Sequence, residues 1–237
     1  MSGRGPTAYD VAAHYDDRYF DDLSRRYRER NRFARRRIEN VFALLPALRG
    51  RRLVDLGCGM GTFTLEAARH GAVALGVDPA PAAVAAATRV AAAEGVTGAR
   101  FIRADAARLP LAGGAADVVV AADLTEHLDG DTLGQVLGES ARILRDGGVM
   151  VVYTPEHTHL FERLRERRLL LRPDPSHIGI RSADELAAAV RAAGLHVELV
   201  RYLPSHLPIW NLLERAFASR VPLLRRRIGL RARKVRA

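Results

Sequence analysis

The chain has 237 residues, 48% hydrophobic and 27% charged, a size and balance that suit one α/β domain with additions and a sizeable core. No apolar run approaches the ~20 residues that span a bilayer, the first six residues carry no apolar leader, and the single cysteine excludes an internal disulfide, so a cytoplasmic protein is expected. Of the net charge of +10, residues 1–52 contribute +6, residues 53–152 contribute −5 and residues 153–237 contribute +9, an acidic centre between basic flanks. With 36 Arg and one Lys, the flanks read first as arginine-rich solvated faces, and second as attraction to an anionic partner.

In chain order, residues 8–22 are rich in aromatics, with His14, Tyr15 and Tyr19 among them, and precede a helix expected over 24–48. Leu53 to Leu56 form a short buried strand, followed by Gly57, Gly59 and Gly61 at alternate positions and a helix from Thr62. Ala72 to Val77 make a second strand ending at Asp78, then a helix over 81–94. A third strand, 101–106, runs into Asp105 and Ala106; a fourth, 117–122, is nearly all apolar, as in a strand covered on both faces. A helix over 131–144 and a Gly147-Gly148 turn lead to a fifth strand, Val149 to Tyr153. Crossovers of this length imply a parallel sheet. Ser182 with Glu185 three residues later marks a helix start, and His196 to Leu203 a sixth strand. Two segments, about 155–181 and 204–226, are additional to this alternation. The second contains an apolar helical stripe with Ile209, Trp210, Leu213 and Phe217, which suits a pocket wall or dimer face before a membrane-surface element. From Ile228 to Val235 cations alternate with apolar residues, which predicts an edge strand guarded by charge.

Glycines between a strand and a helix let a ligand approach main-chain N–H groups closely, but such a turn alone is common. Here Asp55 lies two residues before the first glycine, where a carboxylate repels a pyrophosphate and suits a ligand bearing an ammonium group. Asp78, at the tip of the second strand, is placed to bind the hydroxyls of a ribose. Together Asp55-Leu56-Gly57-Cys58-Gly59-Met60-Gly61, Asp78 and Asp105 resemble the ordered motifs of the Rossmann-like S-adenosylmethionine (SAM)-dependent methyltransferases, over roughly residues 40–200.

That resemblance implies an α/β fold with a seven-stranded, mostly parallel sheet whose last strand is antiparallel. It implies an N-terminal helical lid (1–50) and a SAM-binding domain (51–237). Asp55, Gly57, Cys58, Gly59 and Gly61 would shape the methionine end of the cofactor site, Asp78 and Pro79 the ribose, and Asp105 and Ala106 the adenine. Asp123 is a further candidate on the cofactor side. The acceptor would meet SAM at the ends of strands four and five, with His14, Tyr15, Tyr19, Tyr153 and His177 as pocket residues.

At the end of strand four, Asp123-Leu124-Thr125-Glu126-His127 resembles the ubiquinone-biosynthesis O-methyltransferases and the small-RNA 2′-O-methyltransferases. The resemblance makes His127 and Glu126 the catalytic candidates. It also raises a Mg²⁺ held by Asp123, Glu126, His127 and His177, although Asp123 stands where a longer glutamate is usual. No Cys/His spacing resembles a zinc site. A small or lipid-like acceptor, methylated on a hydroxyl, is expected, with the protein a monomer or homodimer. A small-molecule N-methyltransferase, an RNA enzyme using the basic flanks and a SAM-binding protein without turnover are the alternatives; DNA is not an expected partner.

Overall fold

A computed structural model describes residues 24, 25, 27, 29, 31–167, 169 and 176–236. His14, Tyr15 and Tyr19 lie outside the described residues. Seven strands form one sheet: β1 (Arg52–Leu56), β2 (Val73–Asp78), β3 (Ala99–Arg103), β4 (Ala116–Ala122), β5 (Leu144–Pro155), β6 (Leu195–Leu203) and β7 (Arg227–Lys234). Their spatial order is β3-β2-β1-β4-β5-β7-β6. Strands β1 to β5 pair in parallel, and β7 runs antiparallel to both of its neighbours. The chain winds outward from β1 to β3, then returns to start β4 beside β1. This reversal opens a crevice at the carboxyl ends of β1 and β4, the usual ligand position in such sheets.

The helices among the described residues are α1 (Arg32–Phe42), α2 (Thr62–Arg69), α3 (Pro81–Ala93), α4 (Gly130–Ile143), α5 (Leu160–Glu166), α6 (Ala183–Ala192) and α7 (Pro208–Phe217). Consecutive residues of the central strands point to opposite faces, and both faces are covered. Val119 and Ala121 of β4 join Leu133, Val136, Leu137, Leu186 and Val190 from α4 and α6. Val118 and Val120 join Val41, Phe63 and Ala67 from α1 and α2. This explains why β4 is apolar throughout rather than alternating.

Two expectations are corrected. The helix expected over 24–48 is capped afresh at Asn31, whose side chain accepts the Ala34 N–H, and it ends at Phe42. Strand β7 is not an edge but lies between β5 and β6, with Ile228, Leu230 and Ala232 fully buried. Its cations do not guard a free edge; Arg231 and Arg233 grip Glu198 of β6 across the ladder. Cation–apolar alternation is the same for a guarded edge and for an interior strand laced to its neighbour, so the pattern alone does not separate them. The apolar stripe of α7 is only partly covered: Trp210 stacks on Phe161, while Leu213 and Phe217 stay exposed.

Leu137 is wholly enclosed between α4 and the sheet, whereas Leu212 on α7 is 70% exposed. In urea unfolding, Leu137→Ala is expected to cost about 2–5 kcal/mol, and Leu212→Ala less than about 0.5 kcal/mol.

Candidate active site

The first part of the site follows β1. Gly57, Gly59 and Gly61 all have positive φ, and Gly61, at φ 86°, is the N-cap of α2. A Cβ on Gly61 would lie 2.7 Å from the Phe101 ring, so both the backbone and the space require glycine there. The turn is tied by Cys58 N–H to Val77 O (3.0 Å) and Gly61 N–H to Cys58 O (2.8 Å). Asp55 is buried, and its Oδ2 accepts from Thr64 N–H (3.1 Å) and Thr64 Oγ1 (2.7 Å) at the start of α2. Burial pushes its pKa up to about 7, against the pull of the Thr64 bonds. Cys58 is buried as well, and burial drives its thiol well above the ordinary range, which disfavours the thiolate.

Asp78 closes the turn from β2. Its Oδ2 accepts from Gly59 N–H and its Oδ1 from Ala80 N–H, each at 2.9 Å. One backbone bond per oxygen fixes the carboxylate and leaves each oxygen capacity for another donor. Burial raises its pKa as well. Asp105 lies beyond the end of β3 rather than within it; it is exposed and accepts from Ala107 N–H (2.9 Å), beside buried Ala106. The carbonyl of Pro79 accepts from Arg103 Nε (3.2 Å).

The second part lies at the ends of β4 and β5. Asp123 is the one non-glycine among the described residues at positive φ (54°), and its N–H donates to Tyr153 O at 2.7 Å. Its carboxylate lies between two guanidiniums, Arg37 Nη2 at 2.5 Å and Arg227 Nη1 at 2.7 Å. Burial alone would raise its pKa, but these cations hold it below the ordinary carboxylate range. Asp123, expected on the cofactor side or as a metal ligand, anchors α1 to β7 through these two ion pairs. Neither arginine carried a signal in the sequence. The partners stand 86 and 104 positions away.

A single turn of 3-10 helix, Thr125–His127, follows. Glu126 is enclosed, accepts from Thr154 Oγ1 (3.0 Å), and its pKa is pushed up to about 7 by burial and by the Asp123 charge. Returning chain clamps this turn. Gly179 N–H donates to Glu126 O (2.9 Å), and Arg181 donates to Thr125 O (3.0 Å) and Leu128 O (2.9 Å). His127 Nδ1 lies 3.0 Å from Ser176 O. A carbonyl only accepts, so Nδ1 carries the hydrogen and Nε2 is the basic nitrogen of the neutral ring. The His177 ring sits 5.1 Å from that of His127.

Glu126, His127 and His177 offer ligand atoms within 4.8 Å of one another. They do not fit Mg²⁺, which takes an octahedron of hard oxygen donors. Two of the three donors are imidazoles, the expected fourth, Asp123, is held by arginines, and Arg227 Nη1 stands 3.9 Å from Glu126.

Beside Asp123 opens a cleft lined by Arg36 and Arg37 of α1, Tyr153 of β5, His206, and Arg226 and Arg227 at the start of β7. The Tyr153 hydroxyl accepts from Asn40 Nδ2 (3.3 Å), which also donates to Pro204 O (3.1 Å). Tyr153, a pocket candidate from the sequence, lines this cleft with Arg226 and His206, which were not candidates; Asn40 bonds the Tyr153 hydroxyl.

A glycine turn after β1, a fixed acid after β2 and a titratable cluster after β4 define a SAM-binding, Rossmann-like methyltransferase. The chain belongs to the methyltransferase-domain family, whose model matches residues 25–200. Over 114 residues it is 35% identical to a ubiquinone biosynthesis O-methyltransferase of Azorhizobium caulinodans, covering 48% of this chain and 44% of that protein. It is 36% identical over 104 residues to an uncharacterized methyltransferase of a Mycobacterium species, covering 44% of this chain and 38% of that protein. The chain thus matches less than half the length of these relatives. Among solved structures, the [4+2]-cyclase SpnF superposes with a TM-score of 0.72 at 20% identity, covering 100% of both chains. The geranyl diphosphate C-methyltransferase of Streptomyces coelicolor gives 0.64 at 22%, covering 84% of this chain and 76% of that one. Among the described residues, no helix is long and apolar enough to cross a membrane.

Asn tolerates positive φ nearly as well as Asp, so Asp123→Asn removes charge while keeping the backbone. It is expected to cost on the order of 2–3 kcal/mol in urea unfolding at pH 7 by leaving Arg37 and Arg227 underpaired. Because the folded pKa is depressed, this stabilisation is present above the unfolded carboxyl value near ~4. It is lost as pH falls through the lower folded value. The difference between wild type and Asp123→Asn should therefore shrink below about pH 4, and a pH-independent difference would assign the loss to packing.

Proposed function

We propose that the chain O-methylates a small or lipid-like acceptor, with His127 as the base that takes the hydroxyl proton. The observation that carries this proposal is the bond from His127 Nδ1–H to Ser176 O, which leaves Nε2 as the basic nitrogen at the carboxyl end of β4. The curated relatives named as ubiquinone biosynthesis O-methyltransferases support a hydroxyl acceptor.

When bound, SAM supplies an activated sulfonium methyl. The residues after β1 and β2 suit it: Asp55 beside the N-terminus of α2 for an ammonium group, the glycine turn for close backbone approach, and the two-sided Asp78 carboxylate for ribose hydroxyls. Asp105 and Ala106 are assigned to the adenine. Alignment and exclusion of water are then the protein's contribution. With SAM held there as methyl donor, His127 Nε2 would take the proton of the acceptor hydroxyl as a carbon–oxygen bond forms at the methyl and the methyl–sulfur bond breaks, the sulfur leaving as the neutral thioether. Enclosed Glu126, already bonded to Thr154, is assigned to holding the 3-10 turn rather than to proton transfer.

The segment before α1 is assigned to closing the cofactor side. Tyr27 is buried with Met60 of the glycine turn and Leu65 of α2, and its hydroxyl donates to Glu66 (2.7 Å). This pins the start of the described chain beside the turn. The basic C-terminal run enters the sheet, where Arg231 and Arg233 are both bonded to Glu198 of β6; strand pairing of this run favours a small acceptor over an RNA.

Calorimetric titration with S-adenosylhomocysteine tests the cofactor assignment. Asp78→Ala is expected to weaken binding by about 1–3 kcal/mol through lost charge-assisted bonds; an unchanged dissociation constant would remove Asp78 from the site. With a hydroxylated acceptor in hand, His127→Ala should lower kcat on the order of 10²-fold and leave S-adenosylhomocysteine affinity within twofold. Equal turnover would reduce His127 to a packing residue.

A further inference from the structure

The cleft beside Asp123 has a charge distribution that the proposed methyl transfer does not use. Four guanidiniums, those of Arg36, Arg37, Arg226 and Arg227, line it together with His206, and none of its lining residues is an acid. The counter-charges nearby are fewer than the cations. Asp123 serves both Arg37 and Arg227, Glu126 stands at 3.9 Å from Arg227 Nη1, and Glu162, which pairs with Arg226 at 3.3 Å, also holds Arg165 at 2.9 Å. Arg36 alone has an acid to itself within its helix, Glu39 at 2.9 Å. The buried Nε of Arg37 has no hydrogen-bond partner among the described residues.

These cations are also held in place. Arg226 lies over Phe161 (5.3 Å), Arg227 over Tyr153 (5.4 Å), and Arg37 over both Phe33 (5.4 Å) and Phe63 (5.3 Å). Stacked guanidiniums lose little freedom when they bind, and their fixed forks match planar or tetrahedral oxyanions. Crowded, partly desolvated cations repel one another, and an anion in their midst relieves that repulsion. Burial first, and then the neighbouring Arg227 and Arg165 charges, push the Arg226 pKa down against the opposing pull of Glu162 and Glu214.

The cleft stands at the carboxyl ends of β4 and β5, where the acceptor is expected: Tyr153 lies two residues before the end of β5, and Arg227 is bonded to Asp123 just after β4. We infer that the cleft is the seat of an anionic group on the acceptor, a carboxylate or phosphate, held by Arg36, Arg37, Arg226 and Arg227 while the hydroxyl is presented to His127. This rests on the methyltransferase function proposed above and narrows its substrate to an acid or phosphate ester.

The test uses the full chain at low ionic strength, saturated with S-adenosylhomocysteine, titrated separately with inorganic phosphate and with benzoate. Millimolar binding of either is expected, weakened at least tenfold in both Arg226→Gln and Arg36→Gln. The affinity for S-adenosylhomocysteine should stay within twofold in both variants, which also reports that they are folded. Binding of phosphate alone assigns a phosphate ester, and binding of benzoate alone a carboxylic acid. Failure of both anions while S-adenosylhomocysteine binds, or equal binding by wild type and both variants, would overturn the anionic acceptor and leave the methyltransferase proposal standing. Failure of S-adenosylhomocysteine itself would count against that proposal instead. A short single-stranded RNA that binds a thousandfold tighter than phosphate, and loses that affinity in Arg226→Gln, would overturn the small acceptor in favour of a nucleic acid.

Discussion

One carboxylate, Asp123, ties together three parts of the chain that are far apart in sequence. It sits in left-handed backbone immediately after β4, receives Arg37 from α1 and Arg227 from β7, and hands its N–H to the end of β5. The sheet supplies its rigid base, because β4 is fully covered on both faces. The placement of α1 over the sheet, the orientation of the arginine cleft and the raised proton affinity of Glu126 all depend on it. A polar side chain at that junction has to be paired, because a buried charge without a partner is strongly unfavourable. The arginines are thereby held in fixed positions by the same contact that stabilises the fold.

The two halves of the site obey different physics. Around the glycine turn, acids are fixed by backbone N–H groups and left with spare acceptor capacity, the chemistry of an anion that recognises hydroxyls and an ammonium. Around Asp123 and the start of β7, cations are fixed by aromatic faces and left short of acids. The 3-10 turn carrying Glu126 and His127 lies between, clamped by the carbonyl bonds of Arg181 and the close approach of Gly179. A Cβ on Gly179 would fall 2.0 Å from Leu128 O, so the returning segment can pass there only as glycine.

How much of this was legible in the sequence follows from distance along the chain. Asp55, the three glycines and Asp78 announce themselves because strand, turn and helix are local and their spacing is set by local backbone geometry. The capping box at Ser182 and Glu185 is legible for the same reason, and is present. Arg37 and Arg227 were invisible because they reach Asp123 only through tertiary folding, and in a chain with 36 arginines none of them stands out. The apolar stripe of α7 reads the same whether it is covered or exposed. Periodicity reports an amphipathic helix and says nothing about what lies against it.

Strand β7 has a consequence for how the molecule comes into being. It is the last strand in the sequence and an interior strand of the sheet, joined to β5 and β6 along its whole length. During synthesis, β6 has no partner in the sheet and β5 keeps an open edge until residues 227–234 leave the ribosome. Until then the nascent chain carries an incomplete sheet with exposed strand edges, the state in which chains pair wrongly with one another. Closure then comes late and over long sequence separations, a slow kind of folding event. Ribosome stalling or nuclease trimming of the message just upstream of that strand would yield a template for aggregation rather than a shortened enzyme.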